Sequence, residues 1–233
     1  MAVSRQVPAN KVRGRRTARR GPRVRMKRRM LDTAMGLMQE GRIPSVSEVA
    51  AAAEVSRATA YRYFPSQAAM IQDTVNEALG PILGWRSESQ EAAERVHDLI
   101  AFGYPRIDAF EATHRATLRL ALDQWTRQQT GELGDEQPVK RGHRRQLLKE
   151  ALEPLRGRLG SSEFDRLAQS LSLIFGSEAL IVLKDIWGLD EEAAREVAVW
   201  AAGALVQAAA EEARTTKKRG AKTAKRRTKP SIN

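Results

Sequence analysis

Apolar residues recur along this chain at intervals of three and four, the spacing of a helix face buried on one side. Met30, Leu31, Ala34, Leu37 and Met38 form the first such set, and the pattern predicts a helix from near Arg23 to Gly41. A second begins at Ser45, where Glu48 three residues on completes a capping box, and reaches about Ala53. A third spans roughly Ser56 to Phe64, with Ser56 as N-cap and Pro65 as its stop. Ser66 can cap a fourth, which should reach about Leu79 before Gly80 and Pro81. Further helices are expected near 85–102, 105–129, 140–157, 162–187 and 190–213, with a loop over 130–138.

The last two carry the broadest apolar surface. Phe164, Leu167, Ala168, Leu171, Ile174 and Phe175 mark one of them, and residues 179–183 are apolar nearly all round. Such a segment needs a partner on two sides. In the other, Asp190 is the cap, Glu191 and Glu192 suit the first turn, and Ala193, Val197, Trp200, Ala201, Ala204, Leu205 and Ala208 share a face. No stretch alternates with period two, so the expected fold class is all-α.

Composition narrows the chemistry. The 233 residues are ample for a buried core, and the absence of cysteine excludes disulfides and thiolate metal sites. Imidazole comes only from His97, His114 and His143. No apolar run approaches the roughly 18–20 residues of a membrane span, and no apolar segment follows the charged N-terminus as in a secretory signal. The expectation is a cytoplasmic protein with no membrane partner. Net charge is +12, distributed unevenly. Residues 1–29 hold twelve Lys and Arg and no acid, and residues 214–233 hold nine and no acid. Nineteen basic residues then face 28 acidic ones in between, a balance of −9. Residues 1–22 and 214–233 read as disordered basic arms suited to nucleic-acid phosphates.

The stretch EVSRATAYRYFP (54–65) crowds Tyr61, Tyr63 and Phe64 with Arg57 and Arg62. Two short helices joined by a tight turn, the second bearing arginine, fit a helix-turn-helix. Val49, Ala50, Ala53 and Val55 would pack between the pair, and the alanines permit close approach. Ser56, Arg57, Ala58, Thr59 and Arg62 would project outward. Tyr61 and Tyr63 lie about 200° apart on a helix, so each could offer a hydroxyl to one of the phosphate rows bordering a major groove. Phe64 would turn inward. Catalytic signatures are missing: there is no G-x-S-x-G, phosphate-binding glycine loop, H-E-x-x-H or cysteine nucleophile. No enzyme activity, metal or cofactor is expected.

VAAAAEVSRATAYRYFPSQAAMI (49–71) resembles the DNA-binding signature of the TetR family of bacterial transcription regulators, matching at Val49, Ala50, Ala53, Val55, Ser56, Thr59, Tyr61, Tyr63, Phe64, Ser66 and Met70. The resemblance implies an N-terminal three-helix helix-turn-helix domain (23–80) followed by a C-terminal helical ligand-binding and dimerisation domain (81–213). DNA contacts would fall to Ser45, Ser47, Ser56, Arg57, Ala58, Thr59, Tyr61, Arg62, Tyr63 and Gln67. Three positions depart from the family pattern. Glu54 stands where the turn usually has glycine, Ala60 where an aliphatic residue is usual, and Gln67 where a phosphate-contacting lysine is frequent.

The family architecture also implies a small-molecule effector site, for which Trp85, Phe102, Tyr104, Phe110, His114 and Trp125 are candidate lining residues, with core packing the competing role for each. Arg106, Arg119 and Asp123 are polar groups that could lie within reach. Leu171, Phe175, Ile181, Val197, Trp200 and Leu205 are the candidate homodimer interface, because two helix pairs can close a four-helix contact about a twofold axis. A twofold protein predicts a palindromic operator on double-stranded DNA. The expected function is a sequence-specific, ligand-responsive regulator, chiefly a repressor. The alternative is a sequence-indifferent nucleic-acid-coating protein driven by its basic tails.

Overall fold

The computed structural model describes the backbone of residues 14–140 and 142–227, with side chains over 21–140 and 142–215. Every regular element among them is helical, so the all-α expectation holds. In chain order these are α1 (Gly14–Gln39), α2 (Val46–Ala52), α3 (Arg57–Tyr63), α4 (Gln67–Leu83), α5 (Ala92–Ala109), α6 (Glu111–Gln129), α7 (His143–Ala151), α8 (Ser161–Leu171), α9 (Ser177–Asp185) and α10 (Glu191–Arg227), with a 3-10 turn at Glu153–Leu155.

Two helix extents differ from expectation for the same reason. Helix α1 already exists at Gly14, so residues 14–22 of the expected disordered arm are helical, and α10 runs past residue 213 to Arg227. Arginine, lysine and alanine are good helix formers, and a high density of like charge does not remove that propensity. Residues 1–13 and 228–233 of the expected arms lie outside the described residues.

Other boundaries moved because local backbone chemistry was stronger or weaker than the periodicity suggested. Pro105 lies inside α5, which continues to Ala109 where a break before residue 105 was expected. The expected helix over 162–187 is two helices separated at 172–176. Gly176 takes φ 145 there, and a Cβ on it would come within 2.7 Å of the Arg144 guanidinium carbon. The positive φ favours glycine, whereas the guanidinium, at the end of a flexible side chain, could move aside.

The chain forms two compact units, and the helical body expected over 81–213 is not a single block. One unit comprises the chain up to Glu77 together with Ala116–Val139. Met30, Leu31, Ala34, Val46, Val49, Ala50, Ala53, Ala60, Phe64 and Met70 make its main core. A second small cluster joins Met38 and Ile71 to Ala116 and Leu120, which is why 116–139 belongs here. Buried Gln124 fastens the loop after α6: its amide oxygen accepts from Val139 N at 2.9 Å and its nitrogen donates to Glu136 at 2.7 Å.

The other unit comprises Ala78–Arg115 and the chain from Lys140 onward. Helix α5 is its centre and packs chiefly against α10. Ala194, Ala198, Ala202 and Val206, every fourth residue of α10, form the buried strip. Small side chains let the two axes approach closely, and on α5 Gly103 makes room for Phe175, whose ring a Cβ would meet at 2.8 Å. Val197 and Trp200, on the face expected to form the homodimer interface, are exposed, Trp200 by 76%. At the far end of α9, Arg115 grips Asp185 with both terminal nitrogens (2.8 and 2.5 Å) and Glu111 with Nε (2.6 Å). Lys184 bridges Asp108 and Glu111 at 2.7 and 2.5 Å. These partners hold the Asp185 carboxyl below its usual range, through Arg115 first.

His114 is a buried base in this unit. Its Nε2 has no hydrogen-bond partner, and burial, with the Arg144 charge as a smaller cause, lowers its pKa to about 4. The imidazole is then neutral when folded but protonates below about 6.5 when unfolded. The resulting stability is complete above pH 6.5 and declines as pH falls toward 4, by on the order of 3 kcal/mol. Urea unfolding at pH 7 and pH 4.5 should show this loss, and His114→Leu should reduce the difference. Equal pH dependence in variant and wild type would contradict the assignment.

Candidate nucleic-acid interface

The α2–turn–α3 segment is built by caps at both starts. Ser45 Oγ accepts from Glu48 N at 3.2 Å, while the Glu48 carboxylate accepts from Ser45 N at 2.8 Å and from Arg42 at 2.7 Å. This is the expected capping box, worth about 1 kcal/mol. Those bonds hold the Glu48 carboxyl below its ordinary pKa, the Ser45 backbone first. Ser56 caps α3, accepting from Thr59 N at 3.2 Å and donating to Thr59 Oγ1 at 2.9 Å. Ser66 caps α4 through Ala69 N at 3.1 Å.

Between α2 and α3 the chain reverses at Glu54, whose φ of 54 lies in the left-handed region. Val55 N donates to Ala50 O at 2.8 Å and Glu54 N to Ala51 O at 3.1 Å. The pair of bonds is a Schellman ending, a position that favours glycine. Glu54 adopts it regardless, and its carboxylate meets Arg29 of α1 at 3.1 Å. Buried Ala50, Ala53 and Ala60 keep α2 and α3 close.

Helix α3 divides cleanly. Ala60 and Phe64 are buried, Thr59 and Tyr63 are half-buried, and Ser56, Arg57, Ala58, Tyr61 and Arg62 are exposed. On a helix of 100° per residue the four exposed helical positions, 57, 58, 61 and 62, occupy one arc of about 140°. It presents two guanidinium groups and a phenol beside a methyl, donors suited to phosphate oxygens and base edges.

Two expected contact residues have other occupations. Gln67 donates its amide nitrogen to Pro44 O at 3.0 Å and Ile43 O at 3.3 Å, so it pins the loop before α2. An amide reaches backbone carbonyls that an ammonium would leave for solvent. Tyr63 packs against Phe64, with ring centroids 6.4 Å apart, and the Arg23 guanidinium lies 5.6 Å above its ring. The two tyrosines thus differ: Tyr61 is outward, Tyr63 is half-buried and lies under α1. Ser47 is half-buried near the start of α2, and the Ser45 hydroxyl is engaged in its cap.

The expected effector-site residues have different surroundings. Trp85 and Tyr104 belong to the core of the second unit, and Tyr104 donates to Ile174 O at 2.6 Å. Burial pushes the Tyr104 hydroxyl pKa upward. Phe102 is exposed, and half-buried Phe110 lies beneath Arg106 at 4.8 Å. Trp125 belongs to the first unit and is exposed. Asp123 pairs with Arg127 and Arg119 is exposed.

Of the expected dimer residues, Leu171 and Phe175 are spent in the core of their own unit, since the α8–α9 break turns them inward. Val197 and Trp200 are exposed, and Ile181 and Leu205 are half-buried. Leu173, Val182, Ile186 and Trp187, outside the expected interface set, are exposed as well. The break at 172–176, which no spacing predicts, brings Leu173 out. A groove of about 440 Å³ between α9 and α10 is lined by Ile174, Val182, Leu183, Val197 and Ala201, with the Arg144–Glu178 pair also in its wall.

The capped helices, the left-handed turn and the exposed arc of α3 define a helix-turn-helix DNA-binding protein. Residues 30–74 match the family described as bacterial regulatory proteins, tetR family. Over 78% of this chain and 94% of the other, the fold is similar to the crystal structure of a TetR transcriptional regulator from Rhodococcus sp. RHA1, with a TM-score of 0.52 and 19% identity. No curated protein sequence matches the chain. Residues 30–74 are thus similar to the DNA-binding domain of a family whose members are sequence-specific regulators of transcription. Among the described residues, no helix is long and apolar enough to cross a membrane and no cluster of three metal-ligating groups occurs.

The turn makes a direct prediction. Glu54→Gly and Glu54→Ala both remove the carboxylate, so their difference reports the backbone alone. The glycine variant should be the more stable by about 1 kcal/mol in chemical unfolding. Equal stabilities would mean that the left-handed turn is not kept in solution.

Proposed function

We propose that the chain is a homodimeric transcription regulator, acting as a repressor, which holds a palindromic operator between two copies of α3 and releases it when a small effector binds the larger helical unit. The observation that carries the reading is the exposed arc Arg57–Ala58–Tyr61–Arg62 on a helix whose opposite side is fixed by Ala60 and Phe64. Ser56, short and at the N-terminus, lets that end approach base edges, and Arg57 and Tyr61 supply the directional donors. On this reading half-buried Ser47 and the N-terminus of α2 would meet the adjoining phosphates.

The exposed apolar residues Leu173, Val182, Ile186, Trp187, Val197 and Trp200 support the dimer. A set of large apolar side chains of this extent costs free energy in water and is relieved by a self-complementary contact. Release by an effector requires that it bind the DNA-competent and incompetent arrangements unequally. The alternative, a coating protein driven by basic tails, shares the charge but gives no role to the shaped arc of α3.

Selection of bound duplexes from a random pool by the full chain tests the reading. The expected result is an inverted repeat whose half-site centres lie about 34 Å apart or a small multiple of a helical turn. Arg57→Ala should weaken that site by about 1–3 kcal/mol and relax preference at one position of each half-site. Enrichment of no common sequence, or binding erased equally by bulk genomic DNA, would favour the coating protein. In a separate measurement, Trp200→Glu should shift the chain toward monomer in analytical ultracentrifugation and weaken the operator complex. A variant that stayed dimeric would move the interface elsewhere.

A further inference from the structure

The basic residues of α1 change their surroundings along the helix. Towards its C-terminal half each has an acidic partner in the same unit: Lys27 meets Asp73 at 2.7 Å, Arg28 meets Glu77 at 3.8 Å and Arg29 meets Glu54 at 3.1 Å. Arg25 is exposed and Arg23 lies over the Tyr63 ring, neither with a carboxylate partner among the described residues. Residues 1–25 contain nine Lys and Arg and no acid. Helix α1 nevertheless extends back to Gly14, through Arg20, Arg19, Arg16 and Arg15, beyond the segment that matches the tetR family.

Position explains what this charge is for. Arg23 lies over the ring of Tyr63, a residue of α3, so the acid-free stretch of the sequence reaches the helix that presents the exposed arc. Arg19 and Arg15 follow Arg23 at intervals of four, the spacing of neighbours along a helix. Eight residues of helix cover about 12 Å, a length of duplex that carries about seven phosphate charges. Pro22 cannot donate an N–H to the preceding turn, which leaves the helix a place to bend at the join.

We propose that the Gly14–Arg25 extension of α1 is a second DNA-binding element, which lies along the phosphate backbone next to the groove entered by α3 and adds affinity without base preference. The inference rests on the reading of the chain as a DNA-binding regulator and adds a contact outside the helix-turn-helix. The competing occupant is the chain's own acidic middle region, with its balance of −9. In that case the extension would hold DNA off.

The test uses the full chain with Arg15, Arg16, Arg19 and Arg20 all changed to Gln, a residue that keeps helix propensity. Affinity for the selected operator and for a random duplex of equal length is measured from 50 to 200 mM salt. Four lost phosphate contacts in each protomer, eight in the dimer, should flatten the slope of log K against log salt by about 7 on both duplexes. Across that salt range wild type should then lose on the order of 10,000-fold more affinity than the variant. The preferred sequence should not change, and Lys at the same four positions should restore the slope. An unchanged slope, tighter binding by the Gln variant, or no restoration by Lys would overturn the proposal. A wild type that binds all duplexes alike yet loses slope in the Gln variant would defeat the operator reading and leave this one standing.

Discussion

The presentation of α3 depends on a residue held against its backbone preference. Glu54 closes α2 in the left-handed region, where an L side chain costs about 1–2 kcal/mol relative to a helical or extended conformation. The two hydrogen bonds of the turn and the contact with Arg29 offset that cost. Because the reversal is completed in so few residues, α3 starts at once with Ser56, and buried Ala60 and Phe64 key it to α1 and α2. With its inner side fixed, the outer arc has only one direction to face. Gln67 reinforces the same frame by tying α4 to the loop that precedes α2.

The larger unit solves a different packing problem. Helix α10 carries two apolar strips, and the narrower one is inside. Alanines at 194, 198 and 202 allow α5 to come close, which buries more backbone and neighbouring side chain than a strip of bulky residues would. The larger Val197 and Trp200 are left on the outside with Leu173, Val182, Ile186 and Trp187. The ion cluster of Arg115, Glu111, Asp108, Lys184 and Asp185 then ties the C-terminal end of α9 to the end of α5 and the start of α6. One face is closed by packing and one end by charge, and the exposed apolar strip is what remains for association.

Much of the first unit was legible from residue order because its signals are local. A capping box needs only Ser45 and Glu48, an N-cap only Ser56, and a stop only Pro65, all within one turn of the backbone they act on. The exposed arc of α3 followed from the same short stretch. Less legible were the occupations that depend on distant partners: Gln67 is 23 residues from Pro44, and Arg23 is far in sequence from Tyr63. In the larger unit, periodicity located helices but marked the large residues of α10, and so passed over the alanine strip at 194, 198 and 202 that packs inside. Leu171 and Phe175 were read as interface for a related reason: an apolar residue carries no mark of whether its own chain or another will cover it.

The amino-acid order by itself determined the helical class, the caps and turn of the helix-turn-helix, and the uneven distribution of basic charge. Each of these rests on interactions within a few residues or on composition, which no packing can alter. Tertiary structure alone decided that Ala116–Val139 packs with the first unit, that α8 and α9 part at Gly176, and which face of α10 is buried. Those outcomes depend on volume and close approach between segments remote along the chain, where the fit of an alanine strip or the room beside Arg144 outweighs any local preference.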